Sequence, residues 1–223
     1  MEATIASTTR TYPSLINRSK RHEDFTMPRS LKLWIDGVGT YLVLTQDKLT
    51  IGAERWDGQL ADVRMQAGIR REHALIEREG EDYWLTPLGT TRLNDREIQE
   101  RSLLQDNYLI ALDPGVQLRF SLPSSLSSSA RLDFVSDHRP AERIDGIVLM
   151  SETCLLGRGP ENHIHCRNWG ADLVLFQRDA ELFARCRSSW SINSVPVEGA
   201  ARLEPESLVT GPDFRFRLEQ FET

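Results

Sequence analysis

The sequence is short of several things, and each shortage removes a class of protein. No apolar run approaches the roughly 18 residues that a membrane-spanning helix needs, and the N-terminus has no apolar signal core. A cytoplasmic protein with no membrane partner is therefore the expectation. Cysteine is scarce, and Cys154, Cys166 and Cys186 are odd in number and lack paired spacing, so a disulfide framework is excluded in favour of reduced, mostly buried thiols. No Cys-x-x-Cys or His-Glu-x-x-His run is present, and no amphipathic helical pattern extends over ten residues. Net positive charge is lacking too: at −6 the chain is a poor match for a phosphate backbone, and nucleic acid is not an expected partner.

What remains is a chain of 223 residues with 39% hydrophobic and 27% charged residues, enough to bury a core in each of two small domains. Residues 1–29 are rich in Ser, Thr, Arg and Lys and have no periodicity, so they read as a disordered tail. Within it Thr8, Thr9 and Thr11 are candidate kinase sites, and Met27 is an alternative start.

From Leu31 onward the pattern is one of short β-type runs. Leu31 to Ile35, Tyr41 to Leu44 and Leu49 to Ile51 come first. Ala74 to Glu77, Tyr83 to Leu85, Thr91 to Leu93, Tyr108 to Leu112 and Val116 to Leu122 come next. Gly37, Gly39, Gly80, Asn94-Asp95 and Asp113-Pro114-Gly115 supply turns between them. Many short strands punctuated in this way predict an all-β sandwich or barrel. The serine-rich stretch 123–129 marks a linker, and the chain on its C-terminal side repeats the chain on its N-terminal side. Tyr41 through Gly52 aligns with Gly146 through Gly157, and Leu93-Asn94, Ile98, Leu104 and Leu109-Ile110 align with Ile192-Asn193, Val197, Leu203 and Leu208-Val209. The expected organisation is a tail at 1–29, one domain at 30–122, a linker at 123–129 and a second domain of the same strand plan at 130–222.

Ile51-Gly52, the run Arg71-Glu72-His73-Ala74-Leu75-Ile76, and Thr91-Arg92-Leu93-Asn94 together resemble the forkhead-associated (FHA) family. In the second half Leu156-Gly157-Arg158 and Ser191-Ile192-Asn193 carry the likeness. The resemblance implies two tandem β-sandwiches of about eleven short strands each, non-enzymatic and without a cofactor, whose loops read phosphothreonine in a protein partner. It also implies structural roles for Gly52, His73, Asn94, Gly157 and Asn193, with the His73 ring bracing a loop.

The departures bear on the chemistry. A phosphate site needs a fixed cation and donors converging on a dianion. In the first half the family's phosphate-binding Arg position is Ala53, its Ser position is Arg70, and Gly89-Thr90 replaces the Asn-Gly ahead of Thr91. Arg55, Arg70, Arg71 and Thr91 are the candidate contacts there, the guanidinium being a bidentate fork for phosphate. In the second half Arg158 holds the cation position, while Gly170 falls near the Ser position, Leu173 near the His position, and Ser188-Ser189 where Asn-Gly would be. Each arginine also has a bland reading as a solvated rim residue.

His163-Ile164-His165-Cys166 places two histidines on one face of a strand, in the manner of metal ligands. With no accompanying ligand motif they read as exposed histidines beside a buried thiol, and no metal is assigned. Trp34 and Trp84 read as core residues; Trp56 and Trp190 fall in loop-like segments as anchors or lids. Two functions stay open: an FHA-type phosphothreonine reader or scaffold in Ser/Thr kinase signalling, and a pair of domains that has lost phosphate reading and serves phospho-independent assembly. Oligomeric state is not legible.

Overall fold

The computed structural model describes residues 29–54 and 61–221. Thr8, Thr9, Thr11, Met27, Arg55 and Trp56 lie outside them. Among the described residues the regular structure is entirely strand. The first half contributes β1 (Ser30–Ile35), β2 (Gly39–Leu44), β3 (Lys48–Ala53), β4 (Val63–Met65), β5 (Ala74–Glu79), β6 (Asp82–Pro87), β7 (Thr91–Leu93), β8 (Arg96–Ile98), β9 (Ser102–Leu104), β10 (Leu109–Leu112) and β11 (Val116–Ser121). The second contributes β12 (Ala130–Phe134), β13 (Gly146–Leu149), β14 (Thr153–Gly157), β15 (Ile164–His165), β16 (Leu173–Arg178), β17 (Glu181–Cys186), β18 (Trp190–Ile192), β19 (Val195–Val197), β20 (Ala200–Leu203), β21 (Leu208–Thr210) and β22 (Arg215–Gln220). The β7–β8 and β18–β19 turns use Asn94-Asp95 and Asn193-Ser194 at positive φ, the left-handed pair that a tight hairpin requires. Each Asn Oδ1 then accepts the backbone N–H fifteen residues on, of Leu109 and of Leu208, both at 2.9 Å.

Twelve strands form one continuous sheet in the order β19-β18-β21-β22-β1-β2-β13-β12-β11-β10-β7-β8. Two five-stranded sheets, β4-β3-β5-β6-β9 and β15-β14-β16-β17-β20, pack against it. The order shows an exchange between the halves. The first half's last long strand, β11, pairs with β12 of the second half, and β1 of the first half pairs with β22 at the end of the second. The hairpin β12–β13 thus closes the sandwich built on β3 to β11, and β1–β2 closes the one built on β14 to β22. The repeated strand plan is present, but the boundaries of the repeat are not those of the sandwiches. Local connectivity favours this arrangement, because the short strap 122–129 delivers β12 to the open edge of β11 at little cost in chain entropy.

At the junction β2 and β13 run parallel, Leu42 beside Ile147 and Val43 beside Val148. Alternate residues then serve opposite faces. Leu42, Leu44, Ile147 and Leu149 enter the core under β3 to β6, while Val43 and Val148 enter the core over β14 to β17. Each such burial contributes roughly 2 kcal/mol. Parallel central strands with the sandwiches on opposite faces mean that both sandwiches turn the same end of their strands in the same direction.

Several expectations change. Trp34 is 41% exposed, its Nε1 donating to Glu219, because β1 alternates and sends Leu31, Leu33 and Ile35 inward. Trp84 lies on the outer face of its sheet beneath the Arg101 guanidinium, and Trp190 is buried. The serine segment is a fastened strap: Ser124 and Ser129 are buried, and the Ser127 and Ser129 hydroxyls both donate to Thr153 O. Cys154 and Cys166 are buried and unpaired, and burial holds both thiols well above their ordinary pKa, Cys166 up to about 12.

Candidate functional site

The candidate site forms where β3 ends against the loop leading into β5. Ala53 N–H donates to Arg70 O, and His73 N–H donates to Ile51 O, so the loop is laid alongside β3. Gly52 is required by this closeness: a Cβ there would sit 1.7 Å from Arg71 O. His73 is buried and acts as a brace. Its Nδ1 accepts the Arg70 N–H at 3.1 Å, so Nε2 carries the proton and donates to Thr90 O at 3.0 Å. Both nitrogens are occupied in joining the β4–β5 loop to the β6–β7 loop, which is a structural role.

The brace fixes an exposed cationic rim. The Arg70 guanidinium donates through Nη1 to Leu88 O at 2.7 Å, tying its head across to the β6–β7 loop. Arg71, also exposed, comes directly after it. Thr91 is placed differently from a phosphate contact: it is fully buried and its hydroxyl donates to Gly89 O at 3.0 Å. Ala53, at the family's cation position, is buried as well. Any anion at this end therefore meets Arg70 and Arg71 without a hydroxyl from Thr91.

The second sandwich has a different end. Strand register places Leu156 opposite Leu173 as it places Ile51 opposite Ala74, so Asp172 stands where His73 stands and Trp169 where Arg70 stands. The sequence reading that set Gly170 and Leu173 near those positions is one residue out. Arg158 is exposed and donates through Nε to Arg167 O at 3.1 Å. Carboxylates lie against the glycines on either side of it, Glu161 against Gly159 and Asp172, which accepts from Asn162 Nδ2 at 3.3 Å, against Gly157. Trp169 packs on Phe214 in a tilted ring contact at 4.8 Å, and both are buried.

His163 and His165 are not a ligand pair. His163 is fully buried, its Nδ1 accepting Leu155 N–H at 3.0 Å and its Nε2 donating to Ser129 O at 3.2 Å. It takes the place of Asp62, whose carboxylate accepts the Thr50 N–H in the first half. Burial, with repulsion from Arg131 beside it, pushes its pKa down to about 4. His165 is exposed. Among the described residues no group of three or more His, Cys, Asp or Glu side chains is placed to hold a metal ion.

One feature of the first end was not legible in the sequence. Glu142, from the segment joining β12 to β13, accepts Lys32 Nζ at 3.0 Å and Arg64 Nη2 at 2.6 Å. It thereby ties β1, β4 and the second half together beside the rim. A concavity of about 950 Å³ runs along the serine strap between the turns at 80–81 and 151–153, at the other end of the strands from Arg70.

No family model matches the sequence, and no curated protein matches it. Among solved structures the chain is similar to the Rv0020c FHA structure, with 25% identity over 37% of this chain and 83% of that one and a TM-score of 0.27. A structure from a structural and functional analysis of phosphothreonine-dependent FHA domain interactions has 28% identity over 37% and 86%, TM-score 0.27. The N-terminal FHA domain of EssC, a component of the bacterial Type VII secretion apparatus, has 14% identity over 86% and 93%, TM-score 0.25.

Proposed function

We propose that this chain is a non-enzymatic protein-interaction module of the FHA type, and that the loop end of its first sandwich takes a phosphothreonine segment of a protein partner. The observation that supports this most is the Arg70 guanidinium, tied across to the β6–β7 loop by Leu88 O and carried on a backbone whose N–H donates to the His73 brace. A guanidinium fixed in this way presents a fork to an anion without the entropy cost of ordering it on binding. Arg71 adds a second cation on the same rim. Ser/Thr kinase signalling is the setting in which such a ligand arises.

The second sandwich favours another role. With Asp172 in the place of His73, and with Glu161 and Asp172 lying against the glycines that flank Arg158, it is poorly suited to a dianion and serves phospho-independent assembly. The experiment is retention of a degenerate phosphothreonine peptide library on the purified chain, with the unphosphorylated library as control. Selective retention of the phosphorylated library is expected. Equal retention of both, or of neither, assigns the first end to phospho-independent docking as well.

A further inference from the structure

The segment 135–145 joins β12 to β13, whereas the equivalent hairpin β1–β2 is joined by residues 36–38 alone. The longer connection does not hang free. Because the hairpins are exchanged, it lands on the first sandwich, at the end that carries Arg70. Gln66 N–H donates to Arg139 O at 2.9 Å, Ala141 N–H donates to Arg64 O at 2.7 Å, and Pro140 bridges Met65. The Glu142 ion pairs with Lys32 and Arg64 fasten its far side.

These bonds make a row of four backbone segments across the end. Arg70 O accepts from Ala53, Met65 O accepts from Glu54, and Arg139 O accepts from Gln66, each at 2.9 Å. Adjacent segments of a sheet are about 4.8 Å apart, so Arg70 and Arg139 stand roughly 14 Å apart along the row. That distance is covered by about four residues of extended peptide at ~3.3 Å each. Arg139 is exposed, like Arg70 and Arg71. Glu54 and Glu72 share the rim, so an anion here is held by the fork of a guanidinium and not by net charge. The second sandwich, with only the 36–38 turn in this place, has no counterpart to the added segment.

We infer that the first sandwich's recognition end is a composite of both halves, in which Arg139 from the second half reads a second anionic group, a carboxylate or phosphate, about four residues from the phosphothreonine held at Arg70 and Arg71. This rests on the reading of that end as a phosphopeptide site. Arg139 is then a specificity residue, and the ligand class is narrowed to peptides carrying two anionic groups at that spacing.

The test is a set of phosphothreonine peptides in which a single Glu is walked along an otherwise neutral sequence on both sides, titrated into the full chain and into Arg139→Glu. The unaltered chain should bind best with Glu about four residues away on one side, by roughly five- to tenfold over the peptide without Glu. Arg139→Glu should lose that preference and keep its affinity for the peptide without Glu. A flat profile in the unaltered chain, or a preference that survives in Arg139→Glu, overturns the inference while leaving the phosphopeptide reading standing. Failure of the unaltered chain to bind any phosphorylated peptide overturns both.

Discussion

His163 makes the stability of this molecule depend on pH in a window that can be calculated. Its Nδ1 accepts the Leu155 N–H, so a second ring proton would face an N–H donor in a fully buried space. Desolvation, with Arg131 nearby, lowers its pKa from 6.5 to about 4. The sign depends on which state holds more protons. Between pH 4 and 6.5 the unfolded chain binds a proton at His163 that the folded chain refuses, so stability rises with pH across that interval. The contribution is complete above about pH 7, drains as pH falls through 6.5 towards 4, and is gone below the folded pKa. The fall from 6.5 to about 4 corresponds to about 3 kcal/mol when fully expressed, a sizeable share of the marginal stability of a domain. The assay is urea unfolding by tryptophan fluorescence at half-unit steps from pH 7.5 to 4.5, for the unaltered chain and for His163→Gln. Glutamine retains an acceptor for Leu155 N–H and a donor for Ser129 O without titrating in this range. Across this range the difference between the two profiles should change by about 2.5 kcal/mol, with His163→Gln the flatter. Parallel profiles would refute the reasoning.

Removing Glu142 should act at a distance from its own segment. Glu142→Ala leaves Lys32 and Arg64, both largely buried, without their shared carboxylate, and should cost about 2 kcal/mol in urea unfolding, since hydrogen bonds to charged groups contribute about 1.5–3 kcal/mol each and this node is partly solvated; a change under about 0.5 kcal/mol would show that the ion pairs hold nothing. The exchanged hairpins predict that cutting the strap does not separate the halves. Leu126 is 93% exposed, so a protease site introduced at Ser125-Leu126 should be cleavable, and the two fragments should co-elute under native conditions and separate only in denaturant. Native separation would mean that each half closes its own sandwich.

The strands were legible because turn residues with a mechanism bound them: Asn94-Asp95 and Asn193-Ser194 take positive φ where the sequence places them, and the Leu31, Leu33, Ile35 alternation marks a half-buried strand. The same alternation sends Trp34 outward, where the sequence reading had placed it in the core. The repeated strand plan was legible, but the exchange was not, since β1 and β12 carry equivalent apolar patterns and either would fit the edge of β11. The choice is made by the strap, whose serines read as flexible by composition and are fastened by bonds to Thr153 O that no local pattern announces. His73 was legible through its motif; His163 was not, because its partners Leu155 and Ser129 are brought to it by the second core and by the strap. Thr91 shows the limit of motif matching at a site. The residue type is in place, and the hydroxyl is turned to Gly89 O inside the protein. Arg139 and Glu142 carried no signal at all, since they belong to the second half by sequence and to the first sandwich in space.

The most direct test of the central claim is calorimetric titration of one phosphothreonine peptide retained from the library into the unaltered chain and into Arg70→Glu, with the unphosphorylated peptide as control. The account predicts binding of the phosphorylated peptide by the unaltered chain, none of the control, and a loss of at least tenfold in Arg70→Glu with urea stability lowered by no more than about 1 kcal/mol, the worth of its bond to Leu88 O. Equal affinity in Arg70→Glu, or equal binding of the unphosphorylated peptide, would contradict it.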